Sequence, residues 1–239
     1  MKRRTLTLTL GMLAVASGQR SPALAHSVRD VESRLTNREQ YFQPIANEPA
    51  PDFALQDAHG QAVRLVDLRG KIVVLHFVYA SCPDVCPLHT ERIAVIQRMV
   101  NETPGRDMVR FISITTDPVR DTPAVMQEYG AAHGLDPINW SFLTSGPDRS
   151  EETIRLARAY GLVFVPTPEG AQMHGVVTYV IDGEGQLRAK FHGLDFDPTS
   201  LVVYLNALTH QEASGGHAPS PRPAAAPPQG LWQRFRSLF

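Results

Sequence analysis

The chain has 239 residues, enough for one substantial domain with tails. Its 23 basic and 24 acidic residues leave a formal charge of −1 with no long Lys/Arg block, which argues against a nucleic-acid partner. A hydrophobic content of 43% is ordinary for a globular protein and gives no sign of a chain built to live in a bilayer.

Residues 1–25 read as an export signal. MKRR supplies a positive start, Leu6 to Ala16 an apolar run, and Ala23-Leu24-Ala25 a small-x-small cleavage site. The run is shorter than the roughly 20 residues that span a bilayer. Arg3-Arg4 is a weak match to a twin-arginine signal. The expectation is an exported protein, periplasmic or membrane-associated and facing the periplasm. In such an oxidising compartment two free thiols tend to become a disulfide unless a reductant or a metal intervenes.

Residues 26–46 carry Val28, Val31 and Leu35 at helical spacing and predict a short amphipathic segment. A domain is expected over 47–211. It begins with two alternating runs around DAHGQ, a β-hairpin with its turn at His59-Gly60. KIVVLHFVY (71–79) is an almost unbroken apolar run, as a strand covered on both faces requires. Helical spacing of Ile93, Ile96 and Val100 follows, then a second buried strand at 109–117. A helix is expected from Thr122-Pro123 to Gly134, then WSFLT, a helix from about 147 to 160, and GLVFVP. A hairpin around Gly183 to Gly185 and a closing helix complete the domain. Strands alternating with helices, plus a final hairpin, predict an α/β fold: a central mixed β-sheet with helices on both faces. Residues 212–230 are rich in Pro, Ala and Gly and read as a linker. In 231–239, LWQRFRSLF, the positions Leu231, Trp232, Phe235 and Leu238 share one helical face, a pattern suited to contact with a membrane surface. An unstructured end with chance aromatics is the plainer reading.

Cys82 and Cys86, in FVYASCPDVCPLHT, are the two cysteines of the chain. They stand where a buried strand ends and a helix begins, the edge at which open α/β sheets bind ligands. Helix-start amides there are expected to lower a thiol pKa. Pro87 predicts an irregular turn from Cys82 to Cys86, with the regular helix starting near Pro87 and both sulfurs on one exposed side. Three chemistries compete. A structural disulfide closes too small a loop to stabilise much. A redox couple departs from the usual C-x-x-C spacing. A metal site needs a further ligand, and thiolates select soft ions such as Cu(I).

Among nine histidines, His26 is a candidate amino-terminal chelator and His89 lies one helical turn beyond Cys86. His76 falls inside the strand and reads as a satisfied core residue. His59 and His133 are turn and helix-end residues. His174 precedes a strand, in the loop after VPTPEGAQM.

In order, PDFALQDAHGQAVRLVDLRGK, FVYASCPDVCP, SITTDPVRDTPAVMQEYG, WSFLT and His174 ahead of VVTYVIDGEG resemble the Sco/SenC family over about residues 47–210. These are thioredoxin-fold copper proteins of cytochrome c oxidase assembly. The resemblance implies a thioredoxin-like three-layer sandwich with an N-terminal β-hairpin. It implies one copper ion, Cu(I) or Cu(II), held by Cys82, Cys86 and His174. It also implies transfer to the dinuclear copper site of oxidase subunit II or to another copper or thiol acceptor. Thiol–disulfide exchange at Cys82 and Cys86, outside the cytoplasm, is the alternative. In that case the pair would be the catalytic residues of an oxidoreductase. The chain departs from the family at Met173, where many members place an aspartate before the histidine; a thioether there reads as packing. Asp121 is expected to cap the helix that follows it, Asp117-Pro118 to shape a turn, and Asp84 to be solvated.

Overall fold

A computed structural model describes residues 27–83, 85–167 and 170–215, with the backbone alone at residues 47, 165–167 and 170–174. The expected export signal, His26, Asp84, most of the expected linker and the segment 231–239 lie outside the described residues.

The first helix, α1 (Val28–Arg38), opens on Ser27, whose hydroxyl accepts the Asp30 N–H at 3.2 Å and so satisfies one free amide of the first turn. It buries Val28, Val31 and Leu35, the apolar positions marked by their spacing. A strand that the sequence did not announce follows, β1 (Phe42–Pro49). It forms one edge of the sheet, with a register shift between Pro44 and Glu48. An edge strand tolerates prolines because an absent N–H on its open side leaves no partner wanting.

The expected hairpin is β2 (Ala54–Asp57) with β3 (Ala62–Arg64). The Asp57 carboxylate accepts the N–H groups of His59 and Gln61 across its turn, and Gly60 takes φ 77°, a value that favours glycine. Next, β4 (Ile72–Val78) is buried at every position. Ile72 and Val74 join one core, while Val73, Leu75 and Phe77 join the other, as period-two alternation in a doubly covered strand demands.

The remaining elements are α2 (Val85–Asn101), β5 (Val109–Thr115), α3 (Pro123–Ala132), β6 (Trp140–Thr144) and α4 (Ser150–Ala159). They continue with β7 (Val163–Thr167), β8 (Gly170–His174), β9 (Val177–Ile181), β10 (Gln186–His192) and α5 (Pro198–Ala213). The eight-stranded sheet runs β1-β10-β9-β4-β5-β6-β2-β3. Strands β4, β5 and β6 are parallel, and antiparallel pairs flank them on both sides. Helices α1, α2 and α5 share the core on the Ile72 face, and α4 packs on the other. The result is the expected α/β three-layer arrangement with a mixed sheet. Strands β7 and β8 pair with each other in a separate two-stranded ribbon. Among the described residues no helix is long and apolar enough to cross a membrane.

Two local expectations need correction. Helix α2 starts at Val85, not near Pro87. Pro87 falls in the first turn, where amides have no partner within the helix, so its missing N–H costs nothing. Helix α3 is capped by Thr122, whose hydroxyl accepts the Val125 N–H at 3.4 Å, rather than by Asp121.

Helix α3 docks on β6 through Gly130. A Cβ built there would lie 2.1 Å from Trp140 Cζ3. That indole is also fixed by its Nε1–H, which donates to Ser113 Oγ at 2.9 Å. Inside a helix Gly→Ala normally gains about 1 kcal/mol. Gly130→Ala is expected instead to lose about 1–3 kcal/mol through overpacking, read as a lower urea midpoint.

Candidate functional site

The site lies at the carboxyl end of β4. The chain leaves the sheet at Val78, whose carbonyl accepts the Thr116 N–H at 2.8 Å, and turns so that the Cys82 N–H reaches the Tyr79 carbonyl at 3.1 Å. Cys86 then sits in the first turn of α2. Both cysteines are free thiols, hydrogen-bonded to one another, and the Tyr79 side chain is hydrogen-bonded to Cys82. The geometry therefore brings the two expected thiols together.

Their exposure differs from expectation. Cys82 is 6% exposed and Cys86 2%, in a cluster with Val78, Met126, Tyr129 and Phe142. The cause is the stripe of α2 that faces inward: Cys86, Thr90, Ile93, Gln97 and Val100 recur every three or four residues. Burial also reverses the expected thiol shift. It pushes the Cys86 thiol well above its ordinary value, with Cys82 and Asp121 adding to the effect and a backbone hydrogen bond at Tyr79 opposing it. Desolvation thus outweighs the helix start, and the neutral thiol is the resting form.

The histidines separate. His89, a candidate by spacing, points into the core. Its Nε2 lies 2.8 Å from Thr178 Oγ1 and its ring 4.9 Å from that of His76. Burial pushes its pKa down to about 3. His76 is a core residue as expected, but only half satisfied: Nε2 meets Ser113 Oγ at 3.2 Å, and among the described residues Nδ1 has no hydrogen-bond partner. His59 lies in the β2–β3 turn, and His133 ends α3. His174 is the last residue of a strand, β8, rather than part of a loop, and pairs with Val163. Strand β9 lies antiparallel to β4 with His76 opposite Thr178. The start of β9 is therefore at the same sheet edge as the cysteine turn, three residues after His174. The side chains of His174 and Met173 are outside the described part of the structure. Among the described residues no three of His, Cys, Asp and Glu are grouped to hold a metal.

Asp121 was missed as part of the site. It is 2% exposed, and both carboxylate oxygens lie 3.2 Å from the Ala80 N–H, at the start of the cysteine turn. It also accepts the Thr115 hydroxyl. Asp117 behaves as expected, shaping the turn by accepting the Arg120 N–H at 3.3 Å. Tyr129, also unanticipated, covers the thiols with its hydroxyl 2.8 Å from Thr90 Oγ1. Nothing in the local spacing marked Asp121. Tyr79 and Tyr129 carried one usable signal, as aromatics flanking the cysteine and TTDPVRDTP motifs.

A central mixed sheet whose middle strand ends in a dithiol turn leading into a helix defines a thioredoxin-like protein. The SCO1/SenC family model matches residues 43–209, and the chain belongs to that family. It is 27% identical over 165 residues to the SCO1 protein homolog of Bacillus subtilis (strain 168), covering 69% of this chain and 84% of that protein. ScoI of Bradyrhizobium japonicum, solved with copper bound, matches with a TM-score of 0.55 and 31% identity, over 67% of this chain and 99% of that one. BsSco, a member of the Sco family of cytochrome c oxidase assembly proteins in which a disulfide switch was identified, shares the fold. Its TM-score is 0.60 at 24% identity, over 70% of this chain and 96% of that one. Mitochondrial relatives are longer: the chain covers 50% of the Bos taurus SCO2 homolog, at 29% identity over 139 residues, 56% of this chain.

Proposed function

We propose that this protein is an extracytoplasmic copper metallochaperone that binds one copper ion through Cys82, Cys86 and His174. It would deliver the ion to the dinuclear copper site of cytochrome c oxidase. The observation that carries this reading is the pair of adjacent thiols at the carboxyl end of β4. Support comes from membership of the SCO1/SenC family and from the copper-bound relative. Two thiolates suit a soft monovalent ion, and an imidazole completes a three-coordinate set. The register of β9 on β4, which brings the chain just after His174 to the cysteine edge, favours this histidine over His89.

Copper enters as cargo, and each thiol gives up its proton as its sulfur bonds to the ion. Both cysteines are buried in one apolar cluster with Met126, Tyr129 and Phe142, so an incoming acceptor thiolate meets a nearly closed site.

A second reading, thiol–disulfide exchange, is favoured by the hydrogen bond between the two thiols. Here the Cys82 thiolate attacks a partner disulfide to form a mixed disulfide, and Cys86 displaces the partner's thiolate. The partner is reduced by two electrons and Cys82–Cys86 is oxidised. His174→Ala separates the two. The variant is expected to lose copper while retaining exchange with a small disulfide. Full copper binding by His174→Ala would remove that residue from the metal site.

A further inference from the structure

Tyr79 follows directly on β4 and opens the cysteine turn. Its carbonyl accepts the Cys82 N–H at 3.1 Å, which closes that turn. Its side chain is hydrogen-bonded to Cys82, and a backbone hydrogen bond at Tyr79 reaches Cys86. The ring is half-buried and packs against the apolar cluster that holds both thiols. A phenylalanine would supply the same ring, so the hydroxyl is the part that packing does not explain. Tyr129, in the same cluster, directs its hydroxyl to Thr90 Oγ1 at 2.8 Å, whereas that of Tyr79 goes to sulfur. A phenol and a thiol can each donate to the other. A sulfur bonded to a metal has lost its proton, so in the loaded protein the contact runs from the Tyr79 O–H to Cys82 Sγ.

We propose that Tyr79 is a positioning residue of the dithiol site. Its backbone fixes the turn that sets the two sulfurs side by side, and its hydroxyl, donating to the Cys82 sulfur, favours Cu(I) over Cu(II). The preference follows from charge. Cu(II) draws more electron density from a bound thiolate than Cu(I) does. The sulfur on Cu(I) therefore keeps more negative charge and accepts the stronger hydrogen bond. In the metal-free protein the same contact stabilises the dithiol against its disulfide, whose sulfurs have no proton to share and accept more weakly. The copper preference rests on the metallochaperone reading above; the effect on the dithiol does not.

The test is Tyr79→Phe in the full chain, which removes the hydroxyl and keeps the ring, beside Tyr79→Leu, which removes both. In the copper-loaded Tyr79→Phe protein the ratio of Cu(I) to Cu(II) affinity is expected to fall about fivefold, the loss of one hydrogen bond to a charged acceptor. The sulfur-to-Cu(II) charge-transfer band is expected to move to longer wavelength, since a sulfur without its hydrogen bond gives up charge more easily. In the metal-free chain, the Cys82–Cys86 disulfide is equilibrated with glutathione, two thiols reducing it to the dithiol and leaving as glutathione disulfide. That equilibrium is expected to shift about threefold towards the protein disulfide. A wild-type affinity ratio and band position in Tyr79→Phe would overturn the proposal. Changes confined to Tyr79→Leu would overturn it too, since the ring and not the hydroxyl would then be acting. Failure of the wild type to bind copper would end the metallochaperone reading. The glutathione equilibrium alone would then decide whether the hydroxyl acts on the dithiol: a shift in Tyr79→Phe supports that role and an unmoved equilibrium ends it.

Discussion

Acidification from about pH 7 to about pH 5.5 is expected to cost this protein about 2–3 kcal/mol of stability, through two histidines sealed in its core. His76 and His89 are fully buried, ring against ring at 4.9 Å. Burial pushes His89 down to about 3, from an ordinary value of 6.5. His76 is held well below the same value, by burial first and by His89 second. The native state therefore binds fewer protons than the unfolded chain. Stability is fully present above pH 6.5 and falls as pH drops towards the depressed native value, by about 1.4 kcal/mol per unit for each histidine. Asp121 and Glu212, shifted upward by burial, act in the opposite sense. Urea unfolding at several pH values measures the slope, and His89→Gln should roughly halve it whatever it does to absolute stability. A flat profile across this interval would contradict the buried neutral pair.

Copper binding is expected to tighten by at least about tenfold per pH unit between about pH 6 and pH 8, from Cys86 alone. Burial raises the Cys86 thiol, so it holds its proton throughout this range and must release it to bind the metal. Because the bound form carries fewer protons than the free form, affinity rises with pH until the raised thiol value is reached. Competition titrations at fixed ionic strength would give the slope, and proton release in weakly buffered solution would count the protons directly. Cys86→Ala should lower both the affinity and the slope. Affinity unchanged by pH would mean that the metal does not displace a thiol proton.

Much of this fold was legible in the sequence because its central strands are covered on both faces. Ile72 to Val78 is apolar at every position but His76, and that run located the middle of the sheet. Strand β1 was hidden because Pro44, Pro49 and the register shift near Glu48 break the alternation, and because its partner β10 is distant in sequence. The two thiols were legible as a pair from their position between a buried strand and a helix. Their burial was not, since it depends on Met126, Tyr129 and Phe142 arriving from α3 and β6. His89 shows the limit of spacing: being one turn from Cys86 places it equally on the inward stripe that leads to Ile93. Asp121 shows another. In TTDPVRDTP it has the look of a surface turn residue, yet it bonds a backbone amide 41 residues away. The tertiary approach of the β4 and β5 ends makes that bond, and local pattern contains no trace of it.

The most direct test of the metallochaperone reading is a Cu(I) titration of the reduced, metal-free protein against a competing chelator, with Cys82→Ala, Cys86→Ala and His174→Ala in parallel. The account predicts tight binding of one copper per chain, weakened by each of the three substitutions. Weak binding that is indifferent to His174 would contradict it and leave the thiol pair as a redox couple.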